Sequence, residues 1–249
     1  MTSSYARHGI DHLSVSSVGL FAAEPALFVA ERLMKRRAPV GAAAHRGNAV
    51  EAGIVMGLMN PQVDIDLCQA HAVAEFDKLT ALSGDPRRAK EREGIPGMVK
   101  QGIDKLRPRG IPSITQGRID VLLPGVPIPW VGYLDLHYEQ HGCTLDLKTT
   151  HRLPSEVSRS HARQVSLYTY GTNHDARVAY ITPSKSAVYL IEDRNQHISD
   201  LINIAQRLER FLGLSDDPTF LASIVCPDVD SFWYSEPTAR ATCKEIFGL

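Results

Sequence analysis

The hydrophobic pattern of the N-terminal part of the chain indicates a succession of helices. Apolar residues recur there at intervals of three and four positions, which places them on one face of an α-helix. The segment SVSSVGLFAAEPALFVAERLM begins with serines that are candidate N-caps, and Pro25 is expected to kink it or divide it into two helices. Further helices are predicted over residues 42–58, 64–82 and 86–106, separated by turn-forming Asn, Pro, Ser, Gly and Asp residues.

The pattern changes in the middle of the chain, where short segments rich in β-branched and aromatic residues indicate strands. Three of them, SITQGRIDVLL, IPWVGYLDLHY and GCTLDLKTT, are joined by PGVP and EQHG and predict an antiparallel meander. A helix over about 158–170, two more strands in ARVAYIT and SAVYLIE, and a helix over about 195–212 follow. The tail that contains CPDVDSFWYS is expected to be irregular or briefly helical.

This order of elements predicts one α+β domain that spans residues 1–249. A helical N-terminal part at about 13–107 precedes a core at about 111–213, in which a central, mainly antiparallel sheet of about five strands is flanked by helices. A C-terminal tail covers 214–249. With 249 residues, of which 43% are hydrophobic and 22% charged, the chain has the composition of a globular protein.

Composition and missing motifs argue against several classes of protein. No run approaches the ~18 apolar residues of a membrane helix, and MTSSYARHGIDHLS lacks the charged-then-apolar order of a signal peptide. We therefore expect a cytoplasmic protein that binds no membrane. The four cysteines are scattered without a CxxC pair and are interpreted as reduced thiols. Neither a G-x-x-x-x-G-K-S/T loop nor a G-x-S-x-G motif occurs, which argues against an ATPase and a serine hydrolase.

The charge distribution leaves nucleic-acid binding open. The formal net charge of −1 neither indicates nor excludes it, because binding depends on where positive charge is displayed. Basic residues are concentrated at 35–37, 87–92 and 105–109, and these runs are interpreted as solvated helix ends. A nucleic-acid site must therefore be sought in a specific constellation of side chains.

The segment LDLKTT carries a carboxylate and an ammonium on what is predicted to be one face of a strand. The register with the preceding strand depends on the loop, which is predicted to consist of Gln140 and His141. Asp135 then lies directly opposite Asp146, and Lys148 shares their face. A three-residue loop would instead move the two aspartates to a diagonal or to opposite faces.

The predicted pair of carboxylates needs a compensating charge. Two carboxylates ~5 Å apart repel each other by about 3 kcal/mol at an effective dielectric constant of ~20. A divalent metal compensates this repulsion, and such hard oxygen ligands suit Mg²⁺ or Mn²⁺. Lys148 is placed to stabilise the charge of a phosphorane or to help position the attacking water. The arrangement favours metal-assisted hydrolysis of a phosphodiester.

Several short motifs follow one another in a definite order along the chain. GYLDLHYEQHGCTLDLKTT has an aspartate after a glycine on one strand and D-x-K on the next, and QVSLY adds a Gln-x-x-x-Tyr pair. Upstream stand SVSSVGLFAAEPALFVAERL and RGNAVEAGI. In this order the motifs resemble the PD-(D/E)XK nuclease superfamily and, within it, the RecB-like and phage-type exonucleases. The matches span about residues 13–191, although D-x-K alone occurs by chance in many proteins.

The resemblance implies roles for individual residues of the strands and of the N-terminal helices. Asp135 and Asp146 would bind the metal, with the backbone carbonyl of Leu147 as a further ligand. Lys148 would act on the attacking water or on the scissile phosphate. Glu51 would complete the metal site from the helical side.

The same resemblance gives roles to the helix that follows these strands. Gln164 and Tyr168 lie four residues apart, and therefore on one helical face. Gln164 would hold or orient the active-site strand or the substrate. Tyr168 would contact the nucleic acid or brace the site.

The chain also departs from the pattern of some family members. Many RecB-like members have histidine where this chain has Glu51, which resembles the phage-type variant. His45 lies about 120° away from it around an ideal helix, so its part in the metal site stays open, and the neighbouring Arg46 is a candidate for a phosphate contact. Iron–sulfur members need an N-terminal cysteine and three near the C-terminus. Only Cys226 and Cys243 lie in the right area, so no cluster is expected.

The resemblance implies a Mg²⁺- or Mn²⁺-dependent DNA exonuclease that acts in recombination, repair or phage DNA processing. Expected partners are DNA, a recombinase or helicase and, in a homo-oligomer, further copies of the chain. Two alternatives remain: an endonuclease built on the same core, and a non-catalytic DNA-binding module of a larger complex. Exo or endo action, polarity and strand preference do not follow from the sequence.

Overall fold

The computed structural model of the protein describes residues 3–234 and 237–248. It confirms the α+β class, because a five-stranded mixed sheet is flanked by helices. The strands lie side by side in the order of the chain. Their bounds are β1 Ile114–Val121, β2 Trp130–Tyr138, β3 Cys143–Thr149, β4 Asp175–Ile181 and β5 Ser186–Leu190.

The helices follow the predicted segments but differ from them at several breaks. Pro25 begins a new helix, α3, which continues into a π-helical turn. Gly94 divides the helix predicted over 86–106 into α6 and α7, and a proline follows it at the start of α7, where proline is tolerated. The bounds are α1 Ser4–Arg7, α2 Val15–Ala23, α3 Pro25–Phe28, α4 Ala42–Met59, α5 Ile65–Leu79, α6 Arg88–Glu93, α7 Ile95–Leu106, α8 Arg159–Thr172, α9 Arg194–Leu212, α10 Pro218–Ser223 and α11 Pro237–Phe247.

The register of the hairpin formed by β2 and β3 is the predicted one, but its loop is not. The strands are antiparallel, with Leu136 opposite Leu145 and Tyr138 opposite Cys143. The two-residue loop is wrong, because the four residues between Tyr138 and Cys143 form a 3₁₀ turn that ends at Gly142, whose φ is 52°. Glycine adopts this left-handed conformation without steric cost, so the longer turn closes without shifting the register.

The other strand pairs make the sheet mixed. β3 and β4 are parallel, and α8 forms the connection between them, as parallel neighbours require. β4 and β5 are antiparallel around a short turn in which the side chain of Thr182 accepts hydrogen bonds from backbone N–H groups. The two strands predicted after the helix at 158–170 are therefore confirmed.

The chain forms two compact units. One combines the residues up to Pro39 with Asp120–Gly132 and the chain from Asp193 onwards, and the other combines Val40–Ile119 with Tyr133–Glu192. In the first unit the phenol of Tyr5 donates to the backbone carbonyl of Ala205 over 2.5 Å. The interpretation of residues 1–249 as one domain stays a prediction.

Both faces of the sheet are covered in the second unit. The first cluster of buried side chains joins α4, α5 and α7 to one face of the sheet and includes Val50, Ile54, Phe76, Met98, Ile103, Leu136 and Leu145. The second cluster joins α8 to the opposite face and includes Leu134, Val165, Tyr168, Val178 and Tyr180. Each face of the sheet thus packs against helices.

Among the described residues, none of the helices combines the length and the apolar character needed to cross a bilayer. All four cysteines are free, and only Cys226 is exposed.

Candidate metal and phosphate site

Strand β3 holds a carboxylate and an ammonium side by side. Leu145 is buried in the first cluster and Leu147 packs against it, so the two-residue period of the strand turns Asp146 and Lys148 to the other face. Oδ2 of Asp146 lies 2.7 Å from Nζ of Lys148, and the side chain of Asp146 is 1% exposed. The strand therefore keeps this charged pair in a buried position beside the sheet.

Asp135 on β2 is held by the backbone of β3. The ladder of pairs between β2 and β3 begins at the turn and ends at Leu136 opposite Leu145. One residue further, Oδ2 of Asp135 accepts a hydrogen bond of 2.7 Å from the backbone N–H of Leu147. Leu134 and Leu136 pack in different clusters, so the regular alternation of β2 is interrupted at Asp135. At this point a side-chain carboxylate of β2, and not a backbone carbonyl, accepts the hydrogen bond from the backbone of β3.

Glu51 comes from α4, a helix that is fixed closely against its neighbours. A Cβ atom at Gly53 would lie 2.8 Å from the backbone carbonyl oxygen of Cys68, and one at Gly57 would lie 2.5 Å from a methyl group of Ile103. These two glycines therefore let α4 approach α5 and α7 more closely than other residues would allow. The position of Glu51 is determined by this packing.

Gln116 on β1 contacts Glu51, and sequence reasoning missed it. Its Nε2 donates a hydrogen bond to Oε1 of Glu51. The backbone of Gln116 has a φ of 52°, the left-handed region that a non-glycine residue rarely adopts within a strand. No motif in the sequence marks this residue, because glutamine is not among the residue types that commonly adopt a left-handed backbone.

The carboxylates of Glu51, Asp135 and Asp146 all have raised pKa values, mainly because they are buried. Burial raises the pKa of Asp135 well above its usual value, and the charges of Asp146 and Glu51 raise it further. Burial is also the main cause of the raised pKa of Asp146, although Lys148 opposes it. Burial and the charge of Asp146 raise the pKa of Glu51 as well, against the hydrogen bond from Gln116.

Lys148 is the cation that partly compensates these carboxylates. Burial acts to lower its pKa, but the charges of Asp146, Asp135 and Glu51 outweigh burial and the pKa is raised. We call Glu51, Asp135, Asp146 and Lys148 the carboxylate site. Because it combines three carboxylates with one ammonium, it retains excess negative charge when all four groups are ionised.

The donor atoms of the carboxylate site fit a hard divalent cation. Asp146 is fully buried, yet its Oδ1 has no hydrogen-bond partner within residues 3–234 and 237–248, which is unusual for a buried polar atom. The donors are carboxylate oxygens, which Mg²⁺ and Mn²⁺ prefer. The same described ranges contain no group of three or more His, Cys, Asp or Glu side chains already gathered as metal ligands; Asp146 instead pairs with Lys148.

Helix α8 brings Gln164 and Tyr168 to the same face of the sheet. Nε2 of Gln164 donates a hydrogen bond of 2.6 Å to the phenol of Tyr168. Tyr168 is buried in the second cluster, and burial together with the charge of Asp146 raises its pKa. The ring of Tyr168 is therefore part of the wall behind the carboxylate site. His161, which sequence reasoning missed, lies on the same face, because it precedes these residues by three and seven positions.

Arg46 does not face solvent as a phosphate contact would. It is buried, and its guanidinium donates to the carboxylate of Glu91 and, over 3.1 Å, to the backbone carbonyl of Thr149. The prediction of a phosphate contact at this residue is therefore wrong: the buried charge is used to join α4 and α6 to the end of β3. His45 beside it has a buried Nδ1 without a hydrogen-bond partner in the described part of the chain.

Comparisons with known proteins add little to this geometry. No family model and no curated protein matches the chain. Among solved structures, the crystal structure of SSO0001 is similar, with a TM-score of 0.35 and 12% sequence identity. The similarity covers 74% of this chain and 84% of that chain. It is too distant to carry an argument about fold or function.

Proposed function

We propose that the protein is a Mg²⁺- or Mn²⁺-dependent deoxyribonuclease that hydrolyses phosphodiester bonds. The observation that carries the proposal is the carboxylate site, where a fully buried Asp146 has an oxygen without a partner in the described residues and neighbours two further carboxylates and a lysine. Carboxylates with raised pKa values lower the stability of the folded protein when they are ionised. Clusters of such groups are concentrated at functional sites.

The residues of the site have separable tasks in this proposal. The side chains of Asp135, Asp146 and Glu51 would hold the metal, which supplies Lewis-acid polarisation of the phosphate when it is bound. Lys148 directs its ammonium to the same place and stabilises the negative charge that develops on the phosphate oxygens. Water adds its oxygen to phosphorus, the bond from phosphorus to the leaving sugar oxygen breaks, and the proton of the water passes to solvent while the leaving oxygen takes up another.

The exonuclease form of the proposal, and its place in recombination, repair or phage DNA processing, rest on the resemblance of the sequence motifs. DNA is the substrate in this proposal, and a recombinase or helicase is a candidate partner. Excess negative charge at the site gives the metal a second task, because DNA phosphates would otherwise be repelled by the carboxylates.

The test is degradation of end-labelled linear duplex, a covalently closed circle and a single strand, each with Mg²⁺, with Mn²⁺ and with EDTA. We expect loss of linear DNA with either metal, an intact circle and no cleavage with EDTA. Cleavage of the circle would replace the exonuclease by an endonuclease on the same core. Binding of DNA without cleavage of any substrate would replace it by a non-catalytic module.

A further inference from the structure

His161 lies next to Lys148 because of the strand pairing. In the parallel ladder of β3 and β4, Lys148 is opposite Tyr180, and residues opposite each other in adjacent strands project from the same face, about 5 Å apart. The phenol of Tyr180 lies 2.7 Å from Nδ1 of His161, and their ring centroids are 5.6 Å apart. Lys148, Tyr180 and His161 therefore form a continuous row beside the carboxylate site.

His161 is held by one contact to its ring from β4 and by one contact to its backbone from the N-cap of α8. Ser158 is the N-cap, and its hydroxyl accepts the backbone N–H of His161. The backbone N–H of Ser158 also donates to the phenol oxygen of Tyr180 over 3.3 Å. The imidazole is thus fixed to β4 through Tyr180 and to the start of the helix through its own backbone.

These hydrogen bonds decide which nitrogen of His161 carries the proton. Tyr180 is buried, with 3% of its surface exposed, so its hydroxyl proton needs an acceptor. Nδ1 of His161 is the acceptor within reach in the described part of the chain, because the contact with Ser158 uses a lone pair of the phenol and not its proton. The neutral ring therefore carries its proton on Nε2.

Nε2 is left for a ligand. Within the described ranges Nε2 has no hydrogen-bond partner, and the atom is not completely buried. Burial and the charge of Lys148 lower the pKa of His161 to about 4. At neutral pH the imidazole is uncharged and serves as a hydrogen-bond donor and not as an acid.

We propose that Nε2–H of His161 donates a hydrogen bond to a phosphate oxygen of the DNA substrate beside Lys148. This inference rests on the proposed function and adds a substrate contact to it from α8. A neutral donor beside an ammonium is suited to a phosphate, which accepts from both.

The experiment compares His161→Ala and His161→Gln with the wild type, using end-labelled linear duplex in saturating Mn²⁺. We expect His161→Ala to lower kcat/KM by about 10- to 100-fold, the range of one hydrogen bond to a charged group. His161→Gln, whose amide can donate from a position close to that of Nε2, should recover most of the loss. Tyr180→Phe, which removes the hydroxyl that donates to Nδ1, should show a smaller loss than His161→Ala.

Binding of Mn²⁺ and thermal unfolding of each variant separate a substrate contact from a structural role. We expect both to remain as in the wild type. Cleavage by His161→Ala at the wild-type rate would overturn the inference and leave the proposed function intact. Loss of Mn²⁺ binding in His161→Ala, or no recovery in His161→Gln, would also overturn it. If the wild type cleaves no substrate with either metal, the proposed function fails and the role of His161 fails with it.

Discussion

Asp77 and the carboxylate site lie in the same compact unit but are surrounded in opposite ways. Asp77 on α5 accepts hydrogen bonds from Arg88 and Arg92, with a closest distance of 2.7 Å to Arg92, and these bonds lower its pKa. In the carboxylate site, burial raises the pKa of Asp135 and of Asp146, and the charges of Asp146 and Glu51 raise that of Asp135 further. The two arginines next to Asp77 compensate its charge, whereas Lys148 alone compensates the three carboxylates of the carboxylate site only in part. Of the two places, the carboxylate site is therefore the candidate for binding a cation.

The largest effect is expected at Asp146. Asp146→Asn keeps the size of the side chain but removes the charge that would hold the metal, so we expect the rate of DNA cleavage to fall by about 10³-fold or more. Asp77→Asn is the matched control and should cleave at nearly the wild-type rate. Initial rates on linear duplex in Mg²⁺ measure both. Cleavage by Asp146→Asn within tenfold of the wild type would contradict the assignment.

Glu91 should matter for stability because it compensates a buried arginine. Glu91→Gln leaves the charge of Arg46 buried without its carboxylate, and we expect the free energy of unfolding to fall by about 3 kcal/mol. Denaturation by urea measures this change. Glu93→Gln on the same helix removes an exposed carboxylate and should change the free energy by less than about 0.5 kcal/mol. Equal effects of the two variants would show that Arg46 has solvent access.

Gln116 should affect the metal through Glu51. Gln116→Asn keeps a residue type that tolerates the left-handed backbone but withdraws the amide from Glu51. We expect the Kd for Mn²⁺ to rise about tenfold, the lower end of effects from residues that orient metal ligands. Calorimetric titration with Mn²⁺ tests this, and an unchanged Kd would mean that the contact does not position Glu51.

Asp135 and Asp77 should respond to pH with opposite signs in the metal-free protein. The lowered pKa of Asp77 contributes stability above its unfolded pKa, and this contribution is lost as pH falls through the folded pKa. The raised pKa of Asp135 makes its ionisation unfavourable for folding, so that penalty is relieved as pH falls through the folded pKa.

Neutral variants should therefore move stability in opposite directions. In EDTA at neutral pH, we expect Asp135→Asn to raise the free energy of unfolding by about 1 kcal/mol. Asp77→Asn should lower it by roughly 0.5 kcal/mol, since its ion pairs are partly solvated. Urea denaturation at neutral and mildly acidic pH measures both. A destabilised Asp135→Asn would contradict the repulsion inferred for the carboxylate site.

The sequence allowed prediction of the parts of the fold that apolar alternation controls. The register of β2 and β3 was predicted from a two-residue loop, and it was correct although the loop has four residues, because Glu139 and Gly142 add one residue on each side of the predicted loop. The same alternation placed Asp146 and Lys148 on one face. The conformation of Gly142 could not be predicted from the loop, because several turn lengths are compatible with one register.

Other parts of the site depend on contacts between distant segments. The hydrogen bond from the backbone N–H of Leu147 to Asp135 forms where the regular alternation of β2 is interrupted. No residue type in GYLDL predicts this interruption. The burial of Arg46 depends on Glu91, forty-five positions away. His161 could have been found from its spacing to Gln164, but its proton position follows only from Tyr180 on another strand.

The most direct test of the carboxylate site is Mn²⁺ binding by electron paramagnetic resonance, measured on the wild type, Asp146→Asn and Asp77→Asn. If the site holds a metal, the wild type and Asp77→Asn bind Mn²⁺ with the same Kd and Asp146→Asn does not bind it. Equal binding by all three proteins, or no binding by the wild type, would contradict the account.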